Sequence, residues 1–217
     1  MMKAQNRRKE MAVLLANANA AVSGDALSAV VTDANGKVIA SSTQEYPLST
    51  PRPGWAEQNP EDWWQGIVKG LKVILEKANV PAEDIIGLSY SGQMHGLVML
   101  DENNEVLRPS IIWADQRAVE QVAKLSETVG DDRFYAISGN RNNPTNSICK
   151  IMWSMEHDGV AGKLGKSINC KDYIIYRLTD HIGSDYSDAS GMLLLDVQNR
   201  CWSKPMLELC GIEEGQM

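Results

Sequence analysis

Apolar and polar positions follow two different periods along this chain. Residues 29–33 and 37–42 are short β-prone runs joined through Asn35-Gly36. That dipeptide accepts positive φ at both turn centres, so it predicts a hairpin. Residues 47–58 carry Pro47, Pro51, Pro53 and Gly54 and predict an extended, non-helical connection. A helix then begins sharply, with Asn59 as N-cap, Pro60 in the first turn, and Glu61 and Asp62 facing the positive end of the helix dipole. Trp64, Ile67, Val68, Leu71, Ile74, Leu75 and Ala78 follow at i, i+3, i+4 steps and predict one apolar stripe against a sheet. The neighbouring Trp63 and Trp64 are expected to split between core and rim, because adjacent helix positions do not share a face.

Further along, residues 85–90 predict a strand, then a polar loop Ser91-Gly92-Gln93-Met94-His95-Gly96, then a strand over 97–100 that turns at 101–104. Residues 110–113 predict a third short strand. Helical patterning covers 116–129, 147–157 and 172–178. Strands and helices intermixed in one continuous unit, with no internal repeat or low-complexity linker, indicate an α/β domain.

Composition narrows the function classes. A net charge of -7 argues against nucleic-acid binding, which needs a basic face to neutralise phosphates. An anionic nucleotide stays compatible, because backbone N–H groups and a bound metal hold phosphates. Cys149, Cys170, Cys201 and Cys210 form no CxxC pair and have no histidine at ligand spacing, so reduced thiols are expected and no metal site. Lys3, Arg7, Arg8 and Lys9 resemble the start of a secretion signal, yet the apolar run 11–15 is interrupted by Asn17 and Asn19. No membrane span is expected, and the cytoplasm is the expected compartment.

The loop 91–96 is the most informative stretch. Gly92 and Gly96 let the backbone turn and approach a ligand, while Gln93 and His95 offer polar groups at a strand end. Composition alone equally supports a tight turn whose histidine bonds locally. Asp185 and Asp188 flank Tyr186 in a run that reads as a turn and cap, with cation binding as the other reading. Lys150 is expected at the surface, Trp153 in the core, and His157 and His181 facing solvent.

Residues 90–117, YSGQMHGLVMLDENNEVLRPSIIWADQR, resemble the corresponding stretch of the FGGY carbohydrate kinase family, the SGQMHG block marking its xylulokinase branch. TPRPGWAEQNPEDWW at 50–64, NCKDYIIYRLTD at 169–180 and SDYSDASGMLLLDVQNRCWS at 184–203 are similar to further blocks of that family. Ser147, Lys150 and Trp153 match a family fingerprint in part, from which Thr145 and Ser154 depart. The resemblance implies a ribonuclease-H-like α/β fold of the actin and sugar-kinase superfamily, a mixed sheet flanked by helices. It also implies that Met94 and His95 contact a sugar, with Gln93 and Gly96 shaping that wall. D-xylulose is the favoured ketose, and ATP with Mg2+ the phosphoryl source of the complete enzyme.

The resemblance also has breaks. Family members open with a strand and a D-x-G-T-S phosphate loop, and counting back from Asn35-Gly36 puts Ala21, Ser23, Gly24 and Asp25 in its place. Gly24 and Asp25 are the remaining candidates for nucleotide contact. Residues 1–28 are therefore expected to be a divergent segment replacing the first strand and phosphate loop, and 29–217 the sugar-binding domain. The family's catalytic base lies in a Gly-Gly-Gly-Asp-Asn-like segment expected beyond Met217. On this reading no catalytic residue lies in the chain, which is inactive alone and needs a C-terminal kinase domain, separately encoded or otherwise. A non-catalytic sugar-binding remnant, or a kinase fragment for ribulose, gluconate or glycerol, is the alternative.

Overall fold

The structure, a computed structural model, describes residues 11–18 and 26–217. They fall into two compact units, residues up to 47 with 61–92, and residues 48–60 with 93–217.

The first unit opens with β1 (Met11–Ala18), β2 (Ala26–Asp33) and β3 (Val38–Glu45), an antiparallel meander. The hairpin between β2 and β3 falls where Asn35-Gly36 predicts it, but its geometry differs. Gly36 alone takes a positive φ (79°), while the Asp33 carboxylate accepts the amides of Asn35 and Lys37. The Asp33 side chain stabilises a turn closed by one glycine, and the register shifts at Val31/Thr32 as an extra residue is absorbed.

The chain then passes through the second unit, where β4 (Glu57–Gln58) forms, and returns as α1 (Pro60–Ala78) and β5 (Ile85–Ser91). β5 runs parallel to β1, giving the sheet order β3-β2-β1-β5. A meander followed by a helical crossover to a parallel strand is the ribonuclease-H-like arrangement, and the sheet is mixed. Residues 11–18 form a strand within the segment read as divergent, and β2 begins inside that segment at Ala26.

The buried face of α1 is rotated from the predicted stripe. Trp63, Gly66, Ile67, Gly70 and Ile74 are its buried line, whereas Trp64, Val68, Leu71 and Leu75 are only partly covered. The two glycines explain the rotation. A Cβ at Gly70 would lie 3.4 Å from the Ala29 Cβ, so helix and sheet make their closest approach where the sequence offers no side chain.

The second unit continues with β6 (Leu97–Leu100), β7 (Ser110–Ile111), α2 (Val119–Val129), α3 (Asp131–Ser138) and α4 (Ser147–His157). Beyond these lie β8 (Lys166–Asn169), α5 (Cys170–Thr179), α6 (Tyr186–Gly191), β9 (Leu195–Asp196), β10 (Cys201–Trp202) and α7 (Lys204–Cys210). Its main sheet is ordered β4-β7-β6-β8. α2 starts later than its periodicity suggests because the Asp115 carboxylate takes the Arg117 amide, closing a turn where a first helical turn would stand. α4 matches its predicted span and is buried on every side from Ser147 to Ser154. It therefore forms the centre of a core shared with Leu97, Met99, Ile111, Leu125, Phe134, Leu194 and Leu207.

Candidate functional site

The loop after β5 carries the four residues singled out from sequence, and all four lie in the second unit. Gln93 is buried and its side-chain amide donates to the Gln58 carbonyl oxygen at 2.9 Å, tying the loop to β4. Gly96 is buried against Cys170, and a Cβ there would overlap the Cys170 sulfur. These two fix the loop from beneath. Met94 is 62% exposed and His95 is half-buried, so these two present side chains outward.

His95 adopts φ of 61°, a left-handed conformation that a side chain other than glycine rarely takes and that concentrates at functional positions. Its ring is held on two sides. Nδ1 lies 3.5 Å from the Thr145 hydroxyl, and the ring lies against Gly191, where an added Cβ would come within 3.0 Å of Cδ2 and 3.1 Å of Nε2. Burial, and then the neighbouring positive charge of Lys150, lower its pKa below the ordinary value. The imidazole is therefore neutral near pH 7, with one nitrogen to donate and one to accept, which suits a hydroxyl-bearing ligand.

Below this surface lies a polar core. Lys150 is completely buried on α4 and donates from Nζ to the His95 carbonyl at 2.5 Å and the Ile112 carbonyl at 3.0 Å. β6 and β7 pair antiparallel with Leu97 opposite Ile111. The carbonyls of His95 and Ile112 thus meet at one ammonium, and Trp113, which follows Ile112, is 41% exposed. Beside them Asp115 accepts the Ala56 amide at 2.6 Å and pairs with Arg117, whose Nη1 lies 2.7 Å from Glu57. The Arg117 guanidinium lies 3.7 Å over the Trp55 ring and 4.9 Å from that of Trp153. This buried cluster ties β4 to the turn after β7 and makes the wall rigid.

Among the described residues no group of three or more His, Cys, Asp or Glu side chains is placed to hold a metal ion. Likewise no described helix is long and apolar enough to cross a membrane.

Comparison with known proteins decides the family. Residues 23–217 match the FGGY family of carbohydrate kinases, N-terminal domain. The chain belongs to that family. It is 39% identical over 188 residues to the xylulose kinase of Bacillus subtilis, covering 86% of this chain and 38% of that protein. Among solved structures, xylulose kinase from Rhodospirillum rubrum superposes with a TM-score of 0.88 at 26% identity, covering 95% of this chain and 42% of the other. Gluconate kinase from Lactobacillus acidophilus superposes with a TM-score of 0.85 at 27% identity, over 95% of this chain and 41% of the other. This FGGY chain thus spans about two fifths of the length of the relatives it matches.

One sequence expectation changes in the FGGY fold, while those for Trp153, His157, His181 and Asp185 hold. Lys150 is not at the surface: α4 has no exposed face over residues 147–154, so a lysine there must find acceptors inside. Trp153 is in the core, in an edge-to-face contact 5.2 Å from Trp55, and stacks on His157, whose own side chain stays partly exposed. Asp185 caps α6, accepting the amides of Ser187 and Asp188, and its other oxygen takes the Lys171 ammonium at 2.9 Å. His181 is exposed. Ala21, Ser23, Gly24 and Asp25 lie outside the described residues. Lys150, Trp113 and Gly191 were missed. Gly191 and Lys150 act through contacts with the loop that no spacing rule encodes, and Trp113 is tied to the loop through Lys150.

Proposed function

We propose that Met94, His95 and Trp113 form the sugar-contacting wall of an ATP-dependent ketose kinase, with D-xylulose the favoured substrate. Gln93 and Gly96 shape that wall from below. The observation that carries the reading is the neutral, left-handed His95 beside exposed Met94, its carbonyl sharing the Lys150 ammonium with that of Ile112, the neighbour of exposed Trp113. An aromatic face covers the C–H side of a sugar while an imidazole exchanges hydrogen bonds with its hydroxyls. The identity to the Bacillus subtilis xylulose kinase supports the choice of sugar, and the likeness to gluconate kinase keeps gluconate as the second substrate to test.

In the complete enzyme the γ-phosphate of ATP would pass to the primary 5-hydroxyl of the sugar. Magnesium would offset the phosphate charge when bound. A C-terminal kinase domain, on the same or a separately encoded chain, would supply nucleotide positioning and the catalytic base. What this chain's own residues do is bind and orient: His95 sets the sugar's hydroxyls, and Met94 and Trp113 shield one face from water.

The test is a titration of the labelled chain with D-xylulose, D-gluconate and glycerol, read by NMR. D-xylulose is expected to shift the Met94 methyl, the His95 ring and the Trp113 indole at lower concentration than the others. His95→Ala should abolish the response while the remaining spectrum stays folded. Preferential response to gluconate would reassign the substrate, and shifts confined to other regions would remove the wall assignment.

A further inference from the structure

The least expected group in this chain is a lysine with no access to water. Lys150 sits at the centre of the second unit, yet its ammonium is not spent on a carboxylate. Asp115, the nearest acid that acts on it, already accepts from Arg117 and from the Ala56 amide. Lys150 instead gives its hydrogens to two main-chain carbonyls, those of His95 and Ile112. Those carbonyls belong to different segments, the loop before β6 and the end of β7, separated from Lys150 by 55 and 38 residues.

An ordinary core would fill this place with an apolar side chain of similar volume, since burying an ammonium is costly. What the ammonium does here that methionine would not is fix two carbonyl directions at once. At His95 the carbonyl direction is coupled to the backbone torsions, and φ there is left-handed. A left-handed histidine persists only where its surroundings over-determine it. Lys150 holds the carbonyl side of that residue, while Gly191 and Thr145 confine the ring.

The geometry points to Lys150 as a positioning residue: by clamping the His95 and Ile112 carbonyls together, it holds His95 and Trp113 in the orientation in which both face one ligand. The role for the ligand rests on the sugar-wall reading above, whereas the clamp on the loop does not. Deprotonation leaves the amine two N–H donors, so the clamp serves both protonation states.

The experiment uses the labelled 217-residue chain and its Lys150→Met variant. The first readout is the intraresidue amide-to-Hα NOE of His95, which is strong only at positive φ. In wild type it should be strong. In Lys150→Met it should weaken, with shift changes concentrated in residues 93–96 and 112–113 and the circular dichroism unchanged. The second readout is D-xylulose affinity, expected to fall by about tenfold or more in the variant. A variant that keeps the strong NOE and wild-type affinity overturns the proposal. If wild type gives no response to D-xylulose, the sugar reading fails and the NOE alone decides the clamp. If Lys150→Met does not fold, scalar coupling across the hydrogen bonds from Lys150 Nζ to the His95 and Ile112 carbonyl carbons decides it in wild type. Presence of both couplings supports the clamp, and absence of either removes it.

Discussion

Burial of Lys150 predicts a pH-dependent stability that one substitution erases. Desolvation lowers its pKa from 10.5 to about 7, with the charge of Asp115 opposing the shift and that of Arg117 adding to it. The folded chain therefore gives up this proton at lower pH than the unfolded chain does. Between pH 7 and 10.5 the unfolded state holds more protons, and stability rises with pH. From pH 7 to pH 9 a group half-protonated at 7 contributes an increase of about 2 kcal/mol. Among the other shifted groups only the buried thiols reach into that window, at its upper end. Asp188, raised to about 6 chiefly by burial, and His95, lowered by burial, titrate below it, while Lys171, raised by Asp172 and Asp185 against its own desolvation, titrates above it. Above pH 9 the trend reverses. Burial pushes Cys149 and Cys170 up to about 12 and raises Cys210 as well, so unfolded thiols ionise first and stability falls. The assay is urea unfolding followed by tryptophan fluorescence at pH 7, 8 and 9 in reductant, for wild type and Lys150→Met. Losing the lysine also strands two carbonyls, which shifts absolute stability but not its slope with pH. The stability of wild type minus that of the variant should rise by about 2 kcal/mol from pH 7 to pH 9, since the buried thiols lower both alike toward pH 9. Parallel slopes would refute release of the Lys150 proton near pH 7.

Three further outcomes follow from the same cluster and loop. Gly96→Ala should destabilise the chain by about 1–3 kcal/mol because its methyl meets the Cys170 sulfur. In a Cys170→Ala background the loss should shrink, which a double-mutant cycle in urea measures directly. Arg117→Met, which leaves Asp115 buried without its guanidinium partner and Glu57 with Arg108 alone, should cost about 3–5 kcal/mol in the same assay, far more than removal of the exposed Lys124–Glu156 pair. The purified 217-residue chain with Mg-ATP and D-xylulose should show no sugar-dependent ADP release in a coupled assay, because general-base assistance alone contributes about 10²–10⁴-fold. Sugar-dependent turnover that disappears in Asp25→Ala would instead place a working phosphate loop at Gly24-Asp25.

Much of the fold was legible because local chemistry is decisive in places. Asn59-Pro60 starts α1 where expected, and the apolar run of α4 marks its full span from Ser147 to His157. The loop 91–96 announced itself through two glycines around Gln93, Met94 and His95. What was hidden depends on partners distant in sequence or on the lack of a side chain. The α1 stripe appeared rotated because Gly66 and Gly70 read as gaps although they mark the closest packing. Short elements such as α6 and β8 are too brief for periodicity, and they are held by the Asp185 cap and by pairing with β6. Lys150 was least legible of all. A lysine in a helix pattern reads as solvated, and its acceptors are backbone carbonyls, which carry no residue signature.

The proposal that Met94, His95 and Trp113 touch one sugar has a direct test. Intermolecular NOEs between D-xylulose protons and the labelled chain test it most directly. Contacts to the Met94 methyl, the His95 ring and the Trp113 indole from the same bound sugar are expected. NOEs to other surfaces, with these three silent at saturating D-xylulose, would contradict it.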